Sequence, residues 1–164
     1  MSGAGTYAVE HGDLPQQDLQ ALDRSVLAHL APRAATVETD LPVHEPGTWP
    51  AEVEAAAEQL RRHSDPGADP GTDPERYCYA VADVRTHPHL WDAFVLVAPH
   101  AYDAEVRDAH GTQIASLSDE GTLVLHLDDE QHQRLAALIG VHRLRLLDLS
   151  ARRRWWVPWR RTDS

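Results

Sequence analysis

The chain has 164 residues, a formal charge of −11 and a hydrophobic content of 42%, enough for one domain of ordinary size and too little for two. No apolar run approaches the roughly 20 residues that cross a bilayer, and the longest, Ala93 to Ala98, ends at Pro99. The opening residues show neither the basic nor the apolar region of a secretory signal, and the single Cys78 can form neither an internal disulfide nor a cysteine-rich zinc site, so a cytoplasmic protein is expected.

Every one of the 15 basic residues is Arg. That usage, with abundant Ala and Pro, suggests a bacterial GC-rich genome, and it excludes both a Schiff-base lysine and a phosphate-loop lysine. Charge is unevenly spread. Residues 152–161 hold five Arg and no acid, whereas residues 1–151 hold ten Arg against 25 acidic residues, a charge of −15. A body so acidic repels nucleic acid over most of its surface.

The predicted elements begin with a short edge strand, Thr6 to Val9. Asp13 fits a helix cap with Pro15 in the first turn, and Leu19, Leu22, Val26 and Leu30 recur at helical spacing before Pro32. Ala35 to Leu41 reads as a strand. A second helix starts near Thr48, carries Glu52 and Glu54 early, and closes on Arg61, Arg62 and His63, which complements the helix dipole at both ends. Three Asp-Pro steps between residues 64 and 75 predict a mobile, turn-rich loop. Their Asp spacing of four does not match a calcium loop, which places oxygens at alternate positions.

Strands then dominate. Tyr77 to Val84 is one, and Trp91 to Ala98, the most apolar, is predicted to be central. Tyr102 to Asp108 alternates apolar with charged residues, Thr112 to Leu117 follows a turn, and Thr122 to Leu127 sets three leucines on one face. Asp128 and Gln131 form a capping box for a third helix ending at Gly140, and His142 to Leu149 is a last strand. The expected fold is α+β: an antiparallel meander of about five to six strands packed on two N-terminal helices and one C-terminal helix. Residues 1–151 form the domain and 152–164 a basic tail.

Eleven histidines are the lead for chemistry. In His87-Pro88-His89, proline favours an extended backbone that puts both imidazoles on one face, half of a transition-metal site. Asp83, Asp92 or His100 would complete it. The pair resembles the histidine spacing of cupin metal sites, without the glutamate and glycines that accompany it there. Cys78 reads as a small buried side chain, Ser116 and Ser118 have no base in view, and Asp128 to Glu130 are explained by the helix start. No nucleotide-loop or nucleophile-elbow motif occurs, and no cofactor is expected.

The tail, Arg152-Arg153-Arg154-Trp155-Trp156-Val157-Pro158-Trp159-Arg160-Arg161, carries three of the five Trp. In composition it resembles short cationic Trp/Arg/Pro antimicrobial peptides. It would seat at an anionic membrane interface, stack on single-stranded nucleic acid, or lie along the acidic body or a second copy of it. The last is favoured, because it answers the charge asymmetry without an outside ligand. The expected function is therefore a non-enzymatic interaction module (accessory, adaptor or immunity-like) that meets a protein partner or a second copy through Arg152, Arg153, Arg154, Trp155, Trp156, Trp159 and Arg160. The alternative is a small enzyme with a site at His87 and His89, with or without a metal.

Overall fold

A computed structural model describes residues 5–42, 48–64, 77–118 and 121–148. The strands are β1 (Gly5–Val9), β2 (Thr36–Pro42), β3 (Tyr77–Asp83), β4 (Asp103–Arg107), β5 (Gln113–Ser118), β6 (Leu123–Leu127) and β7 (Leu144–Leu146). The helices are α1 (Gln16–His29), α2 (Ala51–His63), α3 (His89–Val97) and α4 (Asp129–Ile139), with single 3₁₀ turns at Ala98–His100 and Val141–Arg143. All seven strands form one antiparallel sheet in the order β3-β2-β4-β5-β6-β1-β7. The fold is α+β, with more strands and one more helix than the sequence led us to expect.

Only β4, β5 and β6 follow one another as hairpins. The Asp108 carboxylate accepts the His110 and Thr112 N–H groups, and Gly111 takes φ +76° to turn the chain from β4 to β5. The bonding between β4 and β5 slips at Val106–Arg107. β1 is not an edge strand: it lies between β6 and β7. β7 begins two residues later than expected, because Val141–Arg143 winds into a 3₁₀ turn first, and it ends at Leu146; Leu149, the expected last residue, lies outside the described residues.

The largest correction concerns Trp91 to Ala98, a helix rather than a central strand. A short run this apolar carries no period to separate a buried helix from a buried strand. Pro88 precedes the first turn, where a missing N–H costs nothing. Leu90, Trp91, Ala93, Phe94 and Val97 are all buried, as suits a helix apolar nearly all round. The starts of α1 and α2 also move inward. Pro15 and Pro50 stand at the cap positions, and their carbonyls accept the first helical N–H groups, so Asp13 is not the cap of α1, and α2 begins at Ala51 rather than at Thr48.

All four helices pack on one sheet face. Val26, Leu27 and Leu30 of α1, Val53 and Leu60 of α2, Phe94 of α3 and Leu135 of α4 join Val37, Leu41, Val106, Leu117, Leu123, Leu125 and Leu127 in one core. The core reuses the strand alternation: residues one step away in each strand point to the opposite face, which no described helix covers.

Candidate functional site

The uncovered face has a definite layout. In-register neighbours run across it from β7 to β3 as Arg145, Ala8, Val124, Ser116, Glu105, Glu38 and Val81. The row changes from basic, through a floor of small side chains, to acidic. Glu38 and Glu105 lie directly opposite each other, a pairing that like charge makes unfavourable. Arg107 relieves it: its Nε donates to Glu38 at 2.8 Å and an Nη to Glu105 at 2.6 Å. The Tyr79 hydroxyl also donates to Glu38.

Electrostatics on this face follow from partial burial. Burial and the hydrogen bond to Glu38 push the Tyr79 hydroxyl pKa upward. Burial raises the Glu105 carboxyl pKa against the pull of Arg107. Burial, then the neighbouring Asp103 charge, raises that of Asp40. Glu38 and Glu105 pair with Arg107, and Asp40 and Asp103 stand beside them on β2 and β4, so among the described residues this end of the face is rich in carboxylates. The alternation of Asp103, Glu105 and Arg107 was the sequence signal for it. That Glu38 would stand opposite Glu105 was not legible, since β2 and β4 are 60-odd residues apart.

A second polar feature lies on the helix side. Asp23 of α1 is the one charged side chain buried among the described residues. It shares a 2.7 Å hydrogen bond with His11 Nε2. Burial raises its carboxyl pKa, against the lowering effect of His11. The pair lines a cleft of about 320 Å³ with Gln16, Gln20 and Ser118, a place where a proton can be held.

Of the predicted histidine set, His87 and His89 do come together, with ring centres 5.9 Å apart. His100 goes elsewhere: it tilts against Trp49, and its Nε2 lies 3.4 Å from an Nη of Arg24. Asp92 stands exposed in the first turn of α3. Asp83 accepts the Arg85 and Thr86 N–H groups and the Thr86 hydroxyl, which lowers its carboxyl pKa and latches the loop. The third ring beside the pair is His63, at the end of α2. As the side chains stand, no three His, Cys, Asp or Glu among the described residues converge on a metal-ion position.

Cys78 is partly buried in β3 with a free thiol. Ser116 lies on the uncovered face, and Asp128 and Gln131 form the expected reciprocal cap, each bond 2.9 Å. Arg152, Arg153, Arg154, Trp155, Trp156, Trp159 and Arg160 lie outside the described residues, as do residues 65–75 of the Asp/Pro/Gly-rich stretch. No described helix is long and apolar enough to cross a membrane. No family model matches this chain, and neither the curated proteins nor the solved structures searched contain a match.

Proposed function

We propose that this protein is a non-enzymatic bacterial interaction module, an accessory, adaptor or immunity-like protein, whose first partner is a second copy of itself. The observation that carries the reading is the uncovered face: partly buried Val124 and Ser116, beside the buried Ala8, flanked by the carboxylates of β2 and β4. That layout suits an extended segment that offers indoles to the small-residue floor and guanidiniums to the acids, and residues 152–161 have this composition.

The edge beside it also favours a second copy. Among the described residues β7 ends the sheet, and an edge strand offers its backbone ladder to another chain. Leu146 on β7, with Leu138 and Val141 in the segment leading to it, are 56–65% exposed. Arg145 and Glu10 pair at this edge. The basic segment follows β7 directly, and exchange of that segment between two copies covers both the apolar edge and the acidic face in a closed, two-fold arrangement.

Sedimentation of the full chain tests this. The wild type is expected to dimerise at about 50 mM NaCl and to weaken at about 500 mM, where the Debye length shrinks several-fold. Reversal of Arg152, Arg153 and Arg154 to Glu is expected to weaken the dimer about tenfold or more, and Asp40→Asn with Asp103→Asn to weaken it less. A chain that is monomeric throughout, or a dimer indifferent to the arginine reversal, overturns the reading.

A further inference from the structure

His63, His87 and His89 come from the end of α2 and the segment entering α3, yet their rings form a nearly equilateral triangle. The ring centres are 5.4 Å apart for His63 and His89, 5.7 Å for His63 and His87, and 5.9 Å for His87 and His89. Three imidazoles on one tetrahedral ion have metal–nitrogen bonds of about 2.0–2.1 Å, which puts each ring centre about 3.2 Å from the ion and the centres about 5.2 Å apart. The observed triangle exceeds that by about 0.2 Å on its shortest side and about 0.7 Å on its longest. We propose that these three histidines form a surface site for a divalent first-row transition ion of the zinc class.

The chemistry of His63 is already set for it. Its Nδ1 lies 2.9 Å from the Gln59 carbonyl, which can only accept, so Nδ1 carries the proton. In the neutral ring the Nε2 lone pair is then free for a metal, the arrangement in which a second hydrogen bond orients a metal-ligating histidine. Neutral imidazoles select zinc, cobalt, nickel or copper over magnesium or calcium, whose ions want oxygen. Three such ligands leave a coordination position open to water or to a partner's side chain.

The backbone beneath the rings is held from both sides. Ser64 Oγ accepts the Val81 N–H at 3.0 Å and ties the end of α2 to β3. The far end of β3 is Asp83, whose carboxylate accepts two N–H groups of the loop and whose carbonyl accepts the His87 N–H at 3.1 Å. Pro88 restricts the residue between the two histidines. The rings are tilted 54–79° to one another with their donors not yet converged, but all three side chains are exposed. The broad torsion at the ring lets them turn into solvent rather than into neighbours. Closure of the triangle calls for rotation of these exposed side chains.

Titration of the full chain with cobalt(II) alone, followed by its visible d–d absorption, tests the site. One saturable equivalent is expected, with a spectrum of low coordination number. His63→Ala and His89→Ala are each expected to weaken binding about tenfold or more, and His100→Ala and His142→Ala to leave it unchanged. As a second measurement, zinc is expected to raise the thermal midpoint of the wild type and not that of His89→Gln. Absence of a saturable equivalent, or binding that survives His63→Ala and His89→Ala, overturns the proposal. Neither result bears on dimerisation, which the arginine reversals test separately.

Discussion

The covered and uncovered faces of the one sheet are built from the same strands by different forces. On the covered face Val37, Val106, Leu123, Leu125 and Leu127 are at most 1% exposed and meet α1 to α4 through shape alone. One residue along, the neighbours are Glu38, Glu105 and Arg107, with side chains 17–35% exposed and held by charge and hydrogen bonds. A side chain lost from the first face leaves a cavity that nothing refills. A side chain lost from the second leaves groups that water can still reach. The covered face should therefore govern stability, and the uncovered one what the protein can meet.

The largest test of this contrast is Phe94→Ala. Phe94 is fully buried and its ring packs 5.7 Å from that of Trp91. A loss of about 3–5 kcal/mol in urea unfolding is expected. A loss below about 1 kcal/mol would mean that α3 is not the keystone of the helix layer. On the uncovered face, Arg107→Met removes the bridge between Glu38 and Glu105. About 1–2 kcal/mol should be lost, the cost of two half-buried carboxylates left facing each other. Adding Glu38→Gln should recover part of it, because the repulsion goes with the charge; if the double variant is no more stable than Arg107→Met, packing by the arginine stem rather than its charge holds that region. Asp128→Ala, which removes the α4 cap, should cost about 1 kcal/mol by the same measurement.

These expectations also show which parts of the molecule were readable without coordinates. The α4 cap was, because Asp128 and Gln131 act on each other across three residues. The wet face of β4 was, because alternation is local. α3 was not: its run is apolar on nearly every side, so burial erased the period that would distinguish helix from strand. The sheet order was not either. β2 carries the chain to β4 and β3, and β1 returns beside β6 and β7, pairings that no local pattern encodes. The histidine cluster was read in half. The His87-Pro88-His89 spacing was visible, but the third ring, His63, enters through the packing of α2 against α3, while His100 and Asp92 are carried elsewhere.

The smallest expected effect distinguishes the faces by pH. Each carries one histidine whose pKa is depressed: His100 on the helix side, by burial and then the charge of Arg24, and His126 on the uncovered face, by burial and then the charge of Arg33. A depressed histidine binds fewer protons folded than unfolded once the pH nears the free value of about 6.5. Its contribution is therefore intact above that value and is lost as the pH falls through the folded one. The carboxyls of Asp23, Asp40 and Glu105 are shifted the other way and gain in the folded state on acidification, so the two histidines must be isolated by substitution. Unfolding midpoints at about pH 7 and about pH 5 should converge in His100→Gln and in His126→Gln relative to the wild type. The convergence should be larger for His100, whose protonation also strains its contacts with Trp49 and Arg24, than for His126, whose ring keeps a 3.0 Å hydrogen bond with Thr6 beside open solvent. Equal slopes in all three chains would mean that neither His100 nor His126 governs the acid sensitivity.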